Sequence, residues 1–206
     1  MPTALYTIGH SNYDMERFLE LLLQHGIEAV CDVRSHPYSQ YCPQFNREPL
    51  EVSLRQAGIR YAFFGKEFGA RTDDVSCYRD GRVDYTRLAG TESFQSGVRR
   101  LKRAMETLTV ALMCAEKDPL ICHRTILVSR RLRPETDDIR HILETGEIET
   151  QQEAEYRLLQ TLKIVYPDLF HTEQELIEQA YDLQGEKIAY TLPKPDSPPE
   201  RGENWP

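Results

Sequence analysis

Short apolar runs that alternate with helical periodicity constrain this chain more than any other feature. The runs fall at residues 5–9, 27–33, 59–64, 110–113 and 138–142. Between the first two, Met15, Phe18, Leu19, Leu22 and Leu23 recur at threes and fours, and Gly26 ends that stretch. Residues 48–57 read as a helix stopped at Gly58, and residues 91–108 read as another. Strands that alternate with helices imply a parallel sheet with right-handed crossovers. The expectation is an α/β fold, a mostly parallel five-stranded sheet flanked by helices. Residues 1–190 form its single domain, with residues 151–190 as a C-terminal helical extension. The Pro-rich residues 191–206 form an extended or disordered tail. Residues 65–83 read as a long loop containing Gly and Asp.

The length of 206 residues leaves room for one proper core. No apolar run approaches the roughly 20 residues that span a membrane, and the N-terminus enters a strand without a secretory signal. A cytoplasmic setting without a membrane partner is therefore expected. The five cysteines are an odd number, which favours reduced thiols over a disulfide framework. Charge is unevenly placed. The first 134 residues carry 19 Lys and Arg against 16 Asp and Glu, and the remainder carries 6 against 17. A mildly basic body suits a small phosphorylated or nucleotide ligand. It argues against broad, sequence-independent binding of duplex nucleic acid. No Walker or dinucleotide glycine fingerprint is present, so no cofactor is assigned.

Residues 114–124, CAEKDPLICHR, place two thiols, a carboxylate, an imidazole and a guanidinium where a strand hands over to a helix. In a parallel sheet the carboxyl ends of all strands share one edge, so polar residues that follow each strand are expected to converge there. The first strand delivers His10 and Ser11, and the second delivers Asp32, Arg34 and Ser35. The third delivers Lys66, Glu67 and Arg71. The fourth delivers Cys114 and Glu116, with Cys122, His123 and Arg124 closing the next loop, and the fifth brings His141 near. The candidate catalytic residues are Asp32, Glu116, Cys122, His123, His10 and Cys114. The candidate substrate-binding residues are Ser11, Arg34, Ser35, Lys66, Arg71 and Arg124. Planar guanidinium forks suit phosphate or carboxylate. A Cys at a helix N-terminus beside His and Arg favours its thiolate. Structural alternatives stand beside these roles: an Asp32–Arg34 or Asp32–Arg124 ion pair as scaffold, Cys31 as core, and Arg99, Arg100, Lys102 and Arg103 as a solvated helix face. A tyrosine-phosphatase loop is excluded, because it needs five residues between Cys and Arg. Cys114 stands ten positions before Arg124, and Cys122 stands two before it.

The segments Thr7-Ile8-Gly9-His10-Ser11-Asn12, Asp32-Val33-Arg34-Ser35, Pro43-Gln44-Phe45-Asn46, Gly65-Lys66-Glu67-Phe68-Gly69-Ala70-Arg71 and Cys114-Ala115-Glu116 with Cys122-His123-Arg124 form a recognisable set. The sequence resembles the domain-of-unknown-function family numbered 488, from about Leu5 to about Tyr190. That resemblance implies an α/β fold and one common site built from these motifs. It implies no substrate. The chemistry of the residues leads to a hydrolase or group transferase acting on a phosphorylated, nucleotide or nucleic-acid-derived substrate. Arg34 and Arg124 would clamp its anionic group, while Asp32 and Glu116 handle protons. Three alternatives stay open. Cys122 is a reactive thiol with Cys114 as its partner; or Cys114, Cys122 and His123, with His10, hold a metal, although no metal ligand is assigned; or the chain is a non-catalytic ligand-binding module.

Overall fold

The computed structural model describes residues 4–193 of the chain. The elements run in the order β1 (Leu5–Gly9), α1 (Met15–Gln24), β2 (Ala29–Asp32), α2 (Arg47–Gln56), β3 (Arg60–Phe63), α3 (Gly65–Phe68), β4 (Tyr78–Arg79), β5 (Arg82–Val83), α4 (Tyr85–Ala89), α5 (Glu92–Met105) and β6 (Val110–Cys114). A π-helical segment (Arg124–Ser129) then leads into α6 (Arg130–Leu132), β7 (Ile139–Ile142), β8 (Ile148–Thr150), α7 (Gln151–Thr161) and α8 (Glu173–Ile188).

The five expected strands all form, and a sixth, β8, joins them at one edge. The sheet order is β3-β2-β6-β1-β7-β8, parallel throughout except for the antiparallel pair β7–β8. Residues 65–83 are not one plain loop. They hold α3, a 3₁₀ turn at Val75–Cys77 and the small antiparallel hairpin β4–β5. Residues 190–192 lie along that hairpin, where Val83 N–H donates to the Tyr190 carbonyl and Leu192 N–H to that of Gly81. The rest of the expected tail falls outside the described residues, as do residues 1–3.

Two apolar layers follow from the period-two alternation of side chains along each strand. Leu5, Ala29, Cys31, Val110, Leu112 and Cys114 face one layer, which α5, α7, α8 and the π-helical segment cover. Tyr6, Ile8, Val30, Ala111 and Met113 face the other, covered by Phe18, Leu21 and Leu22 of α1 and Leu50 and Leu54 of α2. Cys31 is core, as its structural alternative held. Asp14 caps α1 by accepting from Arg17 N–H, and Thr150 and Thr172 form capping boxes with Glu153 and Glu175 at the starts of α7 and α8.

The acidic C-terminal part is built into the domain and grips the loop after β6. Arg157 of α7 bonds both Asp118 carboxylate oxygens at 3.0 Å, and Gln184 of α8 donates to the Leu120 carbonyl at 2.8 Å. The basic face of α5 is solvent-exposed and ion-paired, Arg99 with Glu92, Arg100 with Glu67 and Lys102 with Glu135.

Candidate functional site

Strand β6 sits beside β1 in the middle of the sheet, and the chain leaves it to reach β7 on the far side of β1. The carboxyl end of such a central strand, where the winding reverses, is where α/β sheets open a crevice. Gly9 makes room there. A Cβ at Gly9 would stand 1.9 Å from the Glu116 carbonyl oxygen, so only glycine lets residues 115–117 cross the end of β1. Ser11 N–H, at a positive φ of 48°, donates to the Ala115 carbonyl and ties the end of β1 to the same loop.

Cys114, Glu116, Cys122 and His123 converge on this loop, with their donor atoms all within 4.8 Å of one another. Glu116 Oε2 lies 3.0 Å from Cys114 Sγ and 2.9 Å from Cys122 Sγ. His123 Nδ1 lies 3.6 Å from Cys114 Sγ. The Arg124 backbone N–H points at Cys122 Sγ at 3.4 Å. His123 Nε2 stands 3.0 Å from the Val33 carbonyl. A carbonyl only accepts, so Nε2 carries a proton and Nδ1 is turned towards the sulfurs. Both thiols are buried, whereas Glu116 is partly exposed.

The electrostatics of the four groups are coupled. Burial opposes ionisation of Cys122. The hydrogen bond from Cys114, the charge of Arg124 and the His123 imidazole outweigh it, and the Cys122 thiol is held well below its ordinary value. Cys114 moves the other way, pushed up by burial and by the neighbouring Cys122 sulfur. Burial and the Cys122 charge also raise Glu116. Burial depresses His123, but its hydrogen bond and attraction to Cys122 prevail and raise it. The 2.9 Å contact between Cys122 Sγ and Glu116 Oε2 is bridged by one proton, and the lowered Cys122 and raised Glu116 bring the proton affinities of the two groups closer together.

Arg124 is wholly buried and does not face a ligand. Its guanidinium donates to the carbonyls of Glu116 at 2.5 Å and Lys117 at 3.0 Å, and reaches Thr7 Oγ1 at 3.4 Å. None of these partners carries charge, so the nearby Cys122 sulfur is the anion its charge favours. The π-helical turn that Arg124 opens is closed by Ser129 Oγ donating to the Arg124 carbonyl at 2.9 Å. Such turns often mark functional sites.

His10, Asp32 and Arg34 form a second cluster, on the opposite face of the sheet. Asp32 is fully buried and takes hydrogen bonds from Arg34 Nε at 2.9 Å, Arg34 Nη2 at 2.7 Å, the Arg34 backbone at 3.1 Å and Tyr61 Oη at 2.9 Å. Arg34 also donates to the Phe45 carbonyl at 2.9 Å and, through Nη1, to His10 Nε2 at 3.0 Å. His10 Nδ1 donates to the Ser11 carbonyl, and its ring stacks on Phe45 at 4.3 Å. Burial and then the Arg34 charge lower His10 to about 4, so the ring is neutral. Tyr61 and Phe45 complete this cluster without having been expected in it.

The remaining candidates lie apart from the thiols. Ser35 Oγ accepts from Arg71 N–H at 2.9 Å, and the Arg71 guanidinium lies 4.5 Å from the Tyr190 ring centroid. Lys66 is exposed on α3. His141 is fully buried between Thr7 Oγ1 at 2.8 Å and Gln151 Oε1 at 3.0 Å, where burial and then the Arg124 charge lower it to about 3. Tyr85, unforeseen, is raised by burial and then by the charges of Cys122, Cys114 and Glu116. It also lines a cavity of about 580 Å³ with Arg79, Arg82, Arg87, Tyr181 and Glu186.

These features define an α/β protein with paired thiols, a carboxyl group and an imidazole gathered at the carboxyl end of its central strand. The chain belongs to the family described as Domain of unknown function DUF488, whose match spans residues 14–131. That span includes Asp32–Ser35, Gly65–Arg71 and the whole thiol loop, while the Thr7–Asn12 segment and His141 lie outside it. No curated protein and no solved structure matches the chain. No helix among the described residues is long and apolar enough to cross a membrane.

Proposed function

We propose that this protein is an enzyme, a hydrolase or group transferase, whose reaction centre is the Cys114–Glu116–Cys122–His123 cluster. One observation carries the proposal: Cys122 Sγ lies 2.9 Å from a Glu116 carboxyl oxygen, in a cluster that gathers Cys114 and His123 within 4.8 Å of the same spot. A thiol of lowered proton affinity touching a carboxyl of raised proton affinity supplies a nucleophile and a mobile proton at one spot, the requirement of hydrolysis and group transfer. Burial and the Cys122 sulfur raise Glu116, and His123, locked by the Val33 carbonyl, keeps its other nitrogen towards the sulfurs.

The proposal leaves out an anion clamp. Arg124 is engaged by backbone carbonyls and Arg34 by Asp32, Phe45 and His10, so neither guanidinium is free to grip a phosphate. Asp32 and Arg34 act in this proposal by positioning the edge of β2.

Two measurements test it. Titrating thiolate absorbance should show one sulfur ionising well below the value of about 8.5 of a free thiol, and Cys122→Ser should remove that signal. A panel of ester, phosphoester and glycosidic substrates should reveal a turnover that both Cys122→Ser and Glu116→Gln abolish. A turnover that survives both substitutions, or a Cys122 that ionises only with ordinary thiols, refutes the assignment.

A further inference from the structure

We infer that Cys114, Cys122 and His123 are the protein ligands of a zinc-class divalent ion, with Glu116 at its fourth position. The inference rests on the proposal that this cluster is the reaction centre, and it gives the two sulfurs the role of ligands.

Four observations support it. The first is the donor set. Two thiols, one imidazole and one carboxylate suit a borderline-soft divalent cation and no hard one. The second is distance. Zinc bonds of about 2.3 Å to sulfur and about 2.0 Å to nitrogen put tetrahedral ligands roughly 3.5 Å apart. The separation of 3.6 Å between Cys114 Sγ and His123 Nδ1 already meets that edge. The two Glu116–sulfur contacts of 2.9 and 3.0 Å are shorter than the edge, and Glu116 is the only partly exposed member, so it has room to withdraw.

The third observation is the outer layer of contacts. A metal-bound imidazole characteristically donates its second N–H to a carbonyl or carboxylate, which fixes the ring and its tautomer. His123 Nε2 does so to the Val33 carbonyl at 3.0 Å, leaving Nδ1 as the inward donor. The Arg124 backbone N–H directed at Cys122 Sγ serves the sulfur in the same way. The fourth is rigidity. Cys114 ends a central strand, and Cys122 and His123 join a loop that Arg157 and Gln184 hold at Asp118 and Leu120 to a buried π-helical turn. Ligands on such a frame need little ordering when the ion enters.

Three protein ligands with one exchangeable position is the arrangement of catalytic rather than structural zinc. With the ion bound, water takes the position that Glu116 vacates. Glu116 then accepts a proton from that water, the resulting hydroxide attacks the substrate's electrophilic centre, and the proton passes from Glu116 to the leaving group. Binding itself displaces to solvent the protons held on the two sulfurs, on His123 Nδ1 and on Glu116, which leaves Glu116 a carboxylate able to act as that base.

The test uses the full chain, purified under reducing conditions without an affinity tag. Elemental analysis should find roughly one equivalent of zinc. The chelated protein should take up cobalt(II) with the intense near-ultraviolet thiolate-to-cobalt band and the visible bands of a tetrahedral site. Cys114→Ser, Cys122→Ser and His123→Ala should each lose that spectrum, while Glu116→Gln keeps it with altered visible bands. Because the wild-type spectrum needs no variant, misfolding of any substitution leaves the result readable. A chelated wild type that binds neither zinc nor cobalt at micromolar concentration overturns the inference. If that metal-free protein still shows a turnover dependent on Cys122 and Glu116, the reaction-centre proposal survives alone. If the ion binds but Glu116→Gln leaves every turnover unchanged, the metal site stands and the reaction-centre proposal fails.

Discussion

Replacing Asp32 by alanine separates a scaffold role from a chemical one. The Asp32 carboxylate is fully buried and accepts four hydrogen bonds, three from Arg34 and one from Tyr61. Removing it leaves the buried Arg34 guanidinium with only the Phe45 carbonyl and the neutral His10 as partners. Breaking a buried ion pair by deleting one member costs about 3–5 kcal/mol, because the survivor keeps an uncompensated charge. For a chain of this length each kcal/mol lowers the melting midpoint by roughly 2–4 °C, so Asp32→Ala should melt on the order of 10 °C lower. Urea unfolding followed by circular dichroism measures the loss directly, provided the slope with denaturant stays constant. The double variant Asp32→Leu with Arg34→Met removes both charges together and should recover more than half of the loss. A single-variant loss under about 1 kcal/mol, within the range of an exposed pair, refutes the scaffold argument. So does a double variant as damaged as Asp32→Ala.

Three further outcomes follow from the same structure. His141 is lowered to about 3 by burial and by Arg124, whereas an unfolded histidine titrates near 6.5. Its stabilising contribution is complete above pH 6.5 and is lost as the pH falls from there towards 3, because the unfolded chain binds the proton first; the loss is on the order of 5 kcal/mol. His141→Gln should flatten the acid limb of the stability profile, and a limb as steep as the wild type's refutes this. Gly9→Ala should cost about 1–3 kcal/mol by overpacking and should raise the Cys122 titration, since a Cβ would collide with the Glu116 carbonyl; a Cys122 titration unchanged from the wild type in a folded variant counts against that contact. Arg124→Met should leave the Glu116 and Lys117 carbonyls without their donor, at about 1–3 kcal/mol for each group, and should return Cys122 towards ordinary thiol behaviour; equilibrium unfolding and thiolate absorbance check both parts.

The strands were legible because each is a short apolar run long enough to register against its flanking turns. Strand β8 was not. Three residues, two half-buried and one exposed, that run straight into the α7 capping box carry no periodicity of their own. The two-residue strands of the β4–β5 hairpin were hidden for the same reason. At the site, the order of residues correctly placed Cys114, Glu116, Cys122 and His123 together, because all four follow one strand within ten positions. The expectation of one shared rim overlooked the pleat. Cys114 continues the phase of Val110 and Leu112, whereas Asp32 continues that of Val30, and Val30 and Leu112 face opposite layers. The same alternation, read from the sequence, would have separated Asp32 and Arg34 from the thiols. The close approach behind Gly9 and the reach of Tyr61 to Asp32 depend on strand order, which no local pattern encodes.

The two clusters still communicate, and the link is the backbone between them. Val33 lies between Asp32 and Arg34, and its side chain is buried in the layer that holds the thiols. Asp32 Oδ1 accepts from the Arg34 N–H, closing a local turn across Val33, while Val33 N–H donates to the Met113 carbonyl of β6. That turn aims the Val33 carbonyl at His123 Nε2. The direction of one imidazole, and hence which nitrogen meets the sulfurs, is therefore set by an ion pair on the far side of the sheet. A buried salt bridge is poor at adding stability and good at fixing one geometry. Here the geometry beside it is the His123 ring next to Cys114 and Cys122, so in the proposed reaction centre Asp32 and Arg34 take the part of positioning residues that touch none of its four groups.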